Sequence, residues 1–248
     1  MFKKVDKNVN IYIGGAKNMK LITWDIDSGG REQIDNIIDK IHREDCDIAV
    51  ITGFRTNHNK NKILNSLKDI GYNYIVYRRP VHKHQDTVLV ASKEDFIIEK
   101  NDCSKRDSFL IISQNDINIA TMNFTNNINQ KELMNLFKEE LSEYIDKKLI
   151  VAGNMQTAKN YATKNSLGKK LCKRYIDFKD VNLKNCIEQM ASFNPDNYTW
   201  SSRKGGEYNV DFILMNEKMD EHNFYCYYNH DVKESGISSH SMILLNIA

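Results

Sequence analysis

Apolar and polar residues alternate along the chain with two different periods, and these periods predict the order of its helices and strands. Apolar residues at helical spacing predict helices over residues 31–44, 60–69 and 130–147. Short runs rich in branched and aromatic residues predict strands between and after these helices. The predicted strands cover residues 20–27, 47–52, 72–77, 87–91, 109–113, 117–123, 149–152, 198–200, 210–215 and 242–247.

Two local patterns refine this order. A short polar stretch at residues 114–116 separates two strands and predicts a β-hairpin. Residues 9–13 alternate like a short strand before a pair of glycines, which leaves two interpretations, an added edge strand and a loose N-terminal arm. Because no repeat or linker divides the chain, we assign residues 1–19 to an N-terminal extension and 20–248 to one domain.

Hairpins and β-α-β units occur together in the predicted order, and this mixture predicts the fold class. Two sheets that contain both parallel and antiparallel neighbours need helices to cover their outer faces. We therefore predict an α/β fold, a four-layer α-β-β-α sandwich in which two mixed β-sheets pack face to face with helices outside.

Composition and charge narrow the functional classes. The 248 residues carry a net charge of +2 with a pI of about 8.1, a balance that permits nucleic-acid binding without demanding it. The five cysteines have no CxxC spacing, which indicates reduced intracellular thiols and neither a zinc site nor a disulfide framework. No apolar run is long enough to span a membrane and no signal-peptide pattern is present, so we expect a soluble cytoplasmic protein.

Polar residues follow two of the predicted strands. The apolar run 149–152 leads into Gly153, and Asn154 and Gln156 are expected to share one face of the extended chain beyond it. Asp25 and Asp27 lie near the end of the first predicted strand, where aspartate is disfavoured. They have two interpretations, the start of a turn and a pair of carboxylates directed at a cation.

Seven segments carry recognisable motifs in order along the chain from Lys20 to the C-terminus. They are KLITWDID, DIAVITGFR, the stretch ending in TVLVASK, ATMNFTNN, LIVAGNMQT, YTWSS with NVDFILMN, and SSHSMILL. Together these segments resemble motifs of one superfamily, the endonuclease/exonuclease/phosphatase (DNase I-like) proteins. Within it, the chain is most similar to the exonuclease III and abasic-site endonuclease branch.

The resemblance implies metal-assisted cleavage of phosphate esters. In that family a divalent cation, usually Mg²⁺, polarises the scissile phosphate, a carboxylate handles the attacking water, and a histidine paired with aspartate stabilises the developing charge. Mapped onto this chain, the catalytic positions are His240, Asp211, Asn154 and Asn123. The metal position is Asp27, with Asp25 beside it. Positions for substrate binding are Gln156, Asn126 and Trp200.

A dense basic loop adds further candidates for substrate binding. Arg78, Arg79 and Lys83 lie in it, with two histidines nearby. A solvated loop is the simplest interpretation, and contact with phosphates is the alternative, because loops of this fold surround the cleft.

The chain departs from the family pattern at several of these positions. Gly53 stands where the family has a metal-binding glutamate, and Asn154 stands where it has the aspartate that handles water. An amide cannot take a proton from water, and loss of a general base costs roughly 10²–10⁴-fold in rate. Further departures are Asp25 for asparagine, Asn123 for histidine or tyrosine, Gln156 for asparagine, Asn209 for arginine and Ser239 for aspartate.

Three functions remain open at this point. The first is a catalytically impaired or inactive relative that binds nucleic acid or a protein partner in the inherited cleft, without a cofactor. The second is an active phosphodiesterase that uses Mg²⁺ or Mn²⁺ in a rearranged site at Asp25, Asp27, Asp211 and His240. The third is a phosphatase that acts on small phosphorylated molecules.

Overall fold

The helices and strands follow the predicted order in the structure, a computed structural model that describes residues 18–82, 84–101, 108–124, 129–157, 166–173, 175–194, 197–203 and 206–248. The predicted strand at residues 9–13, Lys83 and Asn126 lie outside the described residues. The helices are α1 (Ile34–Glu44), α2 (Lys60–Asp69), α3 (Gln130–Leu141), α4 (Ser166–Cys172) and α5 (Asp231–Glu234).

Fourteen strands are described, and in most of the longer ones the residues of both faces are buried. In chain order they are β1 (Met19–Asp25), β2 (Ile48–Phe54), β3 (Tyr74–Tyr77), β4 (Thr87–Ser92), β5 (Ile97–Lys100), β6 (Ser108–Gln114), β7 (Ile117–Asn123), β8 (Leu149–Asn154), β9 (Lys184–Asn185), β10 (Trp200–Ser201), β11 (Glu207–Tyr208), β12 (Asp211–Met215), β13 (Phe224–Asn229) and β14 (Met242–Ile247).

These strands form two mixed sheets of six strands each and one small hairpin. The first sheet has the order β13-β14-β1-β2-β4-β3, and the second has the order β5-β6-β7-β8-β12-β9. The pairs β1–β2 and β7–β8 are parallel, and the other pairs are antiparallel. Strands β10 and β11 make the separate hairpin.

Three apolar layers hold the sheets and helices together, and they confirm the predicted four-layer sandwich. The middle layer joins the two sheets and contains Leu21 and Val50 among its buried side chains. The neighbouring residue Ile22 points the other way into the layer beneath α1 and α2, because successive strand side chains alternate in direction. The third layer lies between the second sheet and α3, where Phe137 is buried.

Several boundaries differ from the predicted ones. Helix α3 ends at Leu141, not at residue 147. The carbonyl oxygen of Leu141 accepts hydrogen bonds from the backbone N–H groups of Tyr144 and Ile145, in the turns that follow the helix. Strand β1 ends at Asp25 and not at residue 27, because Asp27 has a left-handed φ of 55°. The predicted strands did not include β5, β9, β11 and β13.

The predicted hairpin at residues 114–116 is confirmed. Asn115 and Asp116 form the turn between β6 and β7, and their φ angles of 49° and 65° are those of a two-residue hairpin loop. In the described part of the chain, no helix is long and apolar enough to cross a membrane.

Gly153 permits the two central strands of the second sheet to approach each other closely. Its φ is +137°, and a Cβ at this position would overlap the carbonyl oxygen of Met122 in the adjacent strand β7. A glycine at this position therefore allows the backbones of β7 and β8 to lie closer than a side chain would permit.

We expect Gly153→Ala to lower the free energy of unfolding by about 2–4 kcal/mol, because backbone strain and steric overlap add. The matched control is Gly71→Ala, where φ is +99° but no atom lies within 4 Å of the added Cβ. Backbone strain alone should cost about 1–2 kcal/mol there. Urea denaturation measures both values, and equal losses would contradict the proposed overlap with Met122.

Candidate functional site

The polar residues singled out in the sequence gather at one edge of the sandwich. Strands β1, β2, β7 and β8 end there, and β4, β12 and β14 begin there, as their registers show. Asn154 lies opposite Asn123 on one side and Asp211 on the other. The C-terminal edges of strands in α/β proteins commonly carry binding sites, because loops with free side chains meet there.

A side-chain hydrogen bond joins the two sheets at this edge. Asn154 at the end of β8 donates from Nδ2 to Oδ2 of Asp25 at 2.9 Å. The other Asp25 oxygen accepts the backbone N–H of Asp27 at 3.0 Å. Asp25 and Asn154 are both buried. Each oxygen of the Asp25 carboxylate has a donor, and these hydrogen bonds offset part of the free-energy cost of removing the carboxylate from water.

Gly53 leaves room for this carboxylate. The glycine has a φ of +67°, and a Cβ added to it would overlap Oδ1 of Asp25. The position where the family resemblance implies a metal-binding glutamate therefore has no side chain, and the Asp25 carboxylate fills the space where a side chain would begin.

Both polar atoms of the Asn154 side chain make hydrogen bonds within the site. Its Oδ1 accepts two hydrogen bonds from Gln156, from the backbone N–H at 3.1 Å and from Nε2 at 3.0 Å. Gln156 has a left-handed φ of 47°, so its side chain folds back onto Asn154 and does not continue one face of the strand as predicted. The two amides meet, but by a different geometry.

Asp27 lies in a tight turn and is held by a serine. Its Oδ2 accepts the backbone N–H of Ser239 at 2.7 Å, and its Oδ1 accepts the Ser239 hydroxyl at 2.8 Å. The Arg31 guanidinium is 3.9 Å from Oδ1. All five residues from 27 to 31 have positive φ, which the Ser28-Gly29-Gly30 sequence allows at two positions without strain. Asp27 and Asp25 therefore face different partners.

Asp211 and His240 form a buried pair. Nδ1 of His240 is 2.7 Å from Oδ2 of Asp211, and the two residues are 4% and 2% exposed. The second oxygen of Asp211, Oδ1, is buried and has no hydrogen-bond partner. The Thr199 hydroxyl fixes the start of β12 by accepting the backbone N–H of Asp211 at 3.2 Å.

Two tryptophans hold the histidine in place. The ring of Trp200 stacks on the His240 imidazole with centroids 5.7 Å apart, and its Nε1 donates to the Ser239 hydroxyl at 3.1 Å. Trp24 in β1 donates from Nε1 to the His240 carbonyl oxygen at 3.1 Å. This packing fixes the ring orientation before any ligand arrives.

The surrounding carboxylates set the charge of His240. Burial lowers the pKa of its imidazole, but the negative charge of Asp211, then that of Asp25, the hydrogen bond to Asp211 and the charge of Asp27 together raise it to about 9. The imidazole is therefore protonated at neutral pH.

Asn123 and the basic loop take different places around this centre. Asn123 is buried at the end of β7, and its Nδ2 donates to the Thr87 carbonyl oxygen at 3.4 Å. Arg78 and Arg79 follow β3 at the same edge, and the Arg78 backbone pairs with Val88 and Thr87. Arg79 is exposed and Arg78 is half-buried, so both lie at the rim of the site.

Sequence reasoning missed one charged pair at this edge. Arg55, after β2, donates from Nε and Nη2 to the two Asp86 oxygens at 2.6 and 3.1 Å. Burial raises the pKa of the Asp86 carboxyl, and the hydrogen bond and charge of Arg55 lower it. The negative charges of Asp25 and Asp27 also raise the pKa of Asp86, so Asp86 interacts with the carboxylates of the site. The only available signal was that both residues adjoin strand ends at this edge.

Three side chains would supply ligands to a cation. Asp25, Asp211 and His240 each offer one atom, and these atoms lie within 4.8 Å of one another. The Asp211 oxygen without a hydrogen-bond partner fits such a role, since an unpaired buried acceptor costs about 1–3 kcal/mol. The set expected from the sequence also contained Asp27, whose oxygens accept hydrogen bonds from Ser239.

We expect the imidazole of His240 to titrate near pH 9 in an NMR pH titration, and Asp211→Asn to lower its midpoint. The pKa of His240 in the folded protein lies above its unfolded value of about 6.5. The contribution of the charged imidazole to folding stability is therefore fully present below pH 6.5 and is lost as the pH rises through about 9. His230 is an internal control, because burial and then Lys233 lower its pKa. A His240 midpoint at or below that of His230 would contradict a histidine held in its charged form by neighbouring carboxylates.

Comparison with known proteins finds similarity in structure alone. No protein-family profile matches the sequence, and no curated protein matches it. Two solved structures superpose with a TM-score of 0.72. An AP endonuclease from Archaeoglobus fulgidus is 15% identical, with 92% of this chain and 98% of that chain covered. The 3′ phosphatase NExo from Neisseria, solved with a product DNA hairpin, is 14% identical, with 93% and 99% covered.

A truncated TDP2 from Caenorhabditis elegans has a TM-score of 0.63, at 13% identity, with 93% of this chain and 97% of that chain covered. These superpositions extend over nearly the whole chain, and they agree with the two six-stranded sheets and the outer helices described above. The chain therefore has the DNase I-like fold that these solved structures share.

Proposed function

We propose that this chain is a catalytically impaired protein of DNase I-like fold that binds nucleic acid in the cleft at the Asp25–Asn154 edge. The 3′ phosphatase of the same fold was solved with a DNA hairpin, which supports nucleic acid as the class of ligand. A protein partner is the other occupant that the inherited cleft would accept.

The hydrogen bonding of Asn154 carries the proposal of impaired catalysis. Its Nδ2 donates to Asp25 and its Oδ1 accepts twice from Gln156, so both ends of the amide are engaged. An amide is not a base, and Gly53 beside it brings no carboxylate that would replace one. A water molecule in this cleft has no group at position 154 that would remove its proton.

The rim of the cleft supports binding of a phosphate backbone. Arg78 and Arg79 would contact phosphates, together with Lys83 from the same loop. Trp200 and Gln156, which are half-buried, would contact the sugar or base, and Asn126 is the remaining residue of the proposed substrate-binding set. Phosphate contacts of this kind supply most of the affinity of non-specific nucleic-acid binding.

We expect the purified protein to cleave neither abasic-site duplex, plasmid nor a chromogenic phosphodiester above the rate of buffer containing Mg²⁺ or Mn²⁺. The missing base alone accounts for a loss of roughly 10²–10⁴-fold. Gel electrophoresis and absorbance measure the products, with an active abasic-site endonuclease as positive control. Robust turnover that His240→Ala abolishes would refute impaired catalysis, since a contaminating nuclease would not respond to that change.

Nucleic-acid binding should depend on the charge of the basic loop. We expect Arg78→Gln/Arg79→Gln to weaken a gel shift with single- or double-stranded DNA and to reduce the slope of log K against log salt by about 1–2. The matched control is Lys148→Gln/Lys184→Gln, which removes the same charge at the opposite end of β8 and β12.

Equal weakening by the two double variants would remove the loop from the proposal. Absence of any shift at low salt would leave a protein partner as the ligand of the cleft and would contradict nucleic-acid binding.

A metal-dependent phosphodiesterase is the second candidate function. The unpaired Oδ1 of Asp211, next to Asp25 and His240, favours it. A divalent ion held by Asp25 and Asp211 would polarise a phosphate oxygen and offset the charge that develops on it. His240, oriented by Asp211 and Trp200, would then donate a hydrogen bond to the same phosphate. The cleavage assay above separates the two candidates.

A further inference from the structure

A cavity of about 280 Å³ opens at the end of the sandwich opposite the cleft. It lies where β9 and β13, the edge strands of the two sheets on this side, begin, and Met215 at the end of β12 forms part of its wall. Phe224 at the start of β13 is paired with Ile247, which is paired with Met19 at the start of β1. A ligand in this cavity would therefore not contact the residues of the candidate site.

The inner wall of the cavity is apolar and rich in sulfur. Cys186 and Met215 are buried, and Met190 and Phe224 are half-buried. Thioether sulfurs and aromatic side chains both make favourable contacts with flat rings. The sulfur of Met190 is held in place, because it accepts the backbone N–H of Cys226 at 3.3 Å. The cavity thus offers a preformed surface to the faces of a planar ligand.

The rim of the cavity is polar, and its charged side chains offset each other. Lys184 and Asp220 form an ion pair there. Gln189 and Asn223 are exposed at the same rim, and each amide offers both donors and an acceptor. A paired rim gives little advantage to a phosphate or an ammonium group, whereas two amides suit a ring with nitrogen and oxygen atoms along its edge.

His222 adds a buried polar atom without a partner. Its Nε2 has no hydrogen bond among the residues that the structure describes, and Oε1 of Glu221 is 3.9 Å away, too far for one. The imidazole also lines a second cavity of about 190 Å³, so the ring has space on two sides in which to turn. Buried nitrogens without a partner are rare in proteins, and a ligand atom would supply the missing hydrogen bond.

We propose that this cavity binds a nucleobase, free or as a nucleoside. The faces of the base would contact Met190, Met215 and Phe224. Its edge carries donors and acceptors side by side, so it can pair with the rim amides and with His222 in either tautomer. Pockets for drug-sized ligands measure about 300–1,000 Å³, and the smaller volume here suits one or two rings. This site is separate from the cleft and does not rest on the proposed function.

The test measures the binding of adenine, adenosine and cytidine to the full chain by isothermal titration and saturation-transfer NMR. We expect one adenine per chain with a Kd of roughly 1 mM or tighter, within the range open to a ligand of about ten heavy atoms. Indole is a flat bicyclic ring with a single N–H, and it should bind roughly tenfold more weakly, because its edge lacks paired donors and acceptors. Equal binding of indole, or no saturable binding of adenine, would overturn the proposal.

Two variants separate the apolar and polar parts of the site. Phe224→Leu removes an aromatic face and should weaken adenine and indole alike, by roughly threefold or more. His222→Phe keeps a ring but removes Nε2, and it should weaken adenine by roughly tenfold while indole stays within about twofold. Thermal unfolding checks that both variants are folded, and little loss of stability is expected in His222→Phe, since the nitrogen removed has no partner.

Tyr225→Leu is the matched control for Phe224→Leu. Tyr225 follows Phe224 in β13, is 52% exposed and points to the opposite face of the strand. Its loss should leave the affinity for adenine unchanged. Equal weakening in Tyr225→Leu and Phe224→Leu, or unchanged adenine binding in His222→Phe, would overturn the assignment of the base to this cavity.

A nucleic-acid strand presents the same bases, and competition separates the two sources. A short single-stranded DNA should not displace adenine, because the phosphates beside each base would meet only the paired Lys184 at the rim. Displacement of adenine that Phe224→Leu weakens would overturn the assignment to a free base or nucleoside. Arg78→Gln/Arg79→Gln tests the cleft alone and should leave adenine binding unchanged, so either site can fail without the other.

Discussion

The hydrogen bond from Asn154 to Asp25 connects the two sheets at the edge where the candidate site lies. A buried carboxylate needs donors, and Asp25 obtains one from the opposite sheet and one from the turn after its own strand. The bond requires an amide at position 154, since two carboxylates at 2.9 Å would repel each other. It also requires a glycine at position 53, because any side chain there would collide with Asp25. The residues at positions 25, 53 and 154 therefore depend on one another.

A second coupled pair follows the same logic. Asp27 accepts two hydrogen bonds from Ser239, and an aspartate at that position would offer only its backbone N–H. The serine thus supplies a hydrogen-bond donor to each oxygen of the Asp27 carboxylate. Around these changes, the Asp211–His240 pair keeps a firm frame from Thr199, Trp200 and Trp24.

The sequence predicted the layers of the fold better than the geometry of the site. Continuous apolar runs such as residues 149–152 identify central strands, because only strands covered on both faces are apolar throughout. The turn after Asp25 was not predictable from periodicity, since five successive left-handed residues leave no pattern of burial. The Arg55–Asp86 pair was missed because its residues are 31 positions apart and adjoin strands that only the sheet order brings together.

The coupling also limits how the site can change. Asn154→Asp alone would place a second carboxylate against Asp25, and a larger residue at position 53 would need the Asp25 side chain to leave first. Each single step towards the family pattern therefore meets a charge or steric penalty that only a simultaneous change at Asp25 removes. Because Asp25 also belongs to the cluster with Asp211 and His240, that change would remove a proposed ion ligand. Packing and hydrogen bonding at Asp25, Gly53 and Asn154 are thus mutually consistent, as expected of a sequence that specifies one structure.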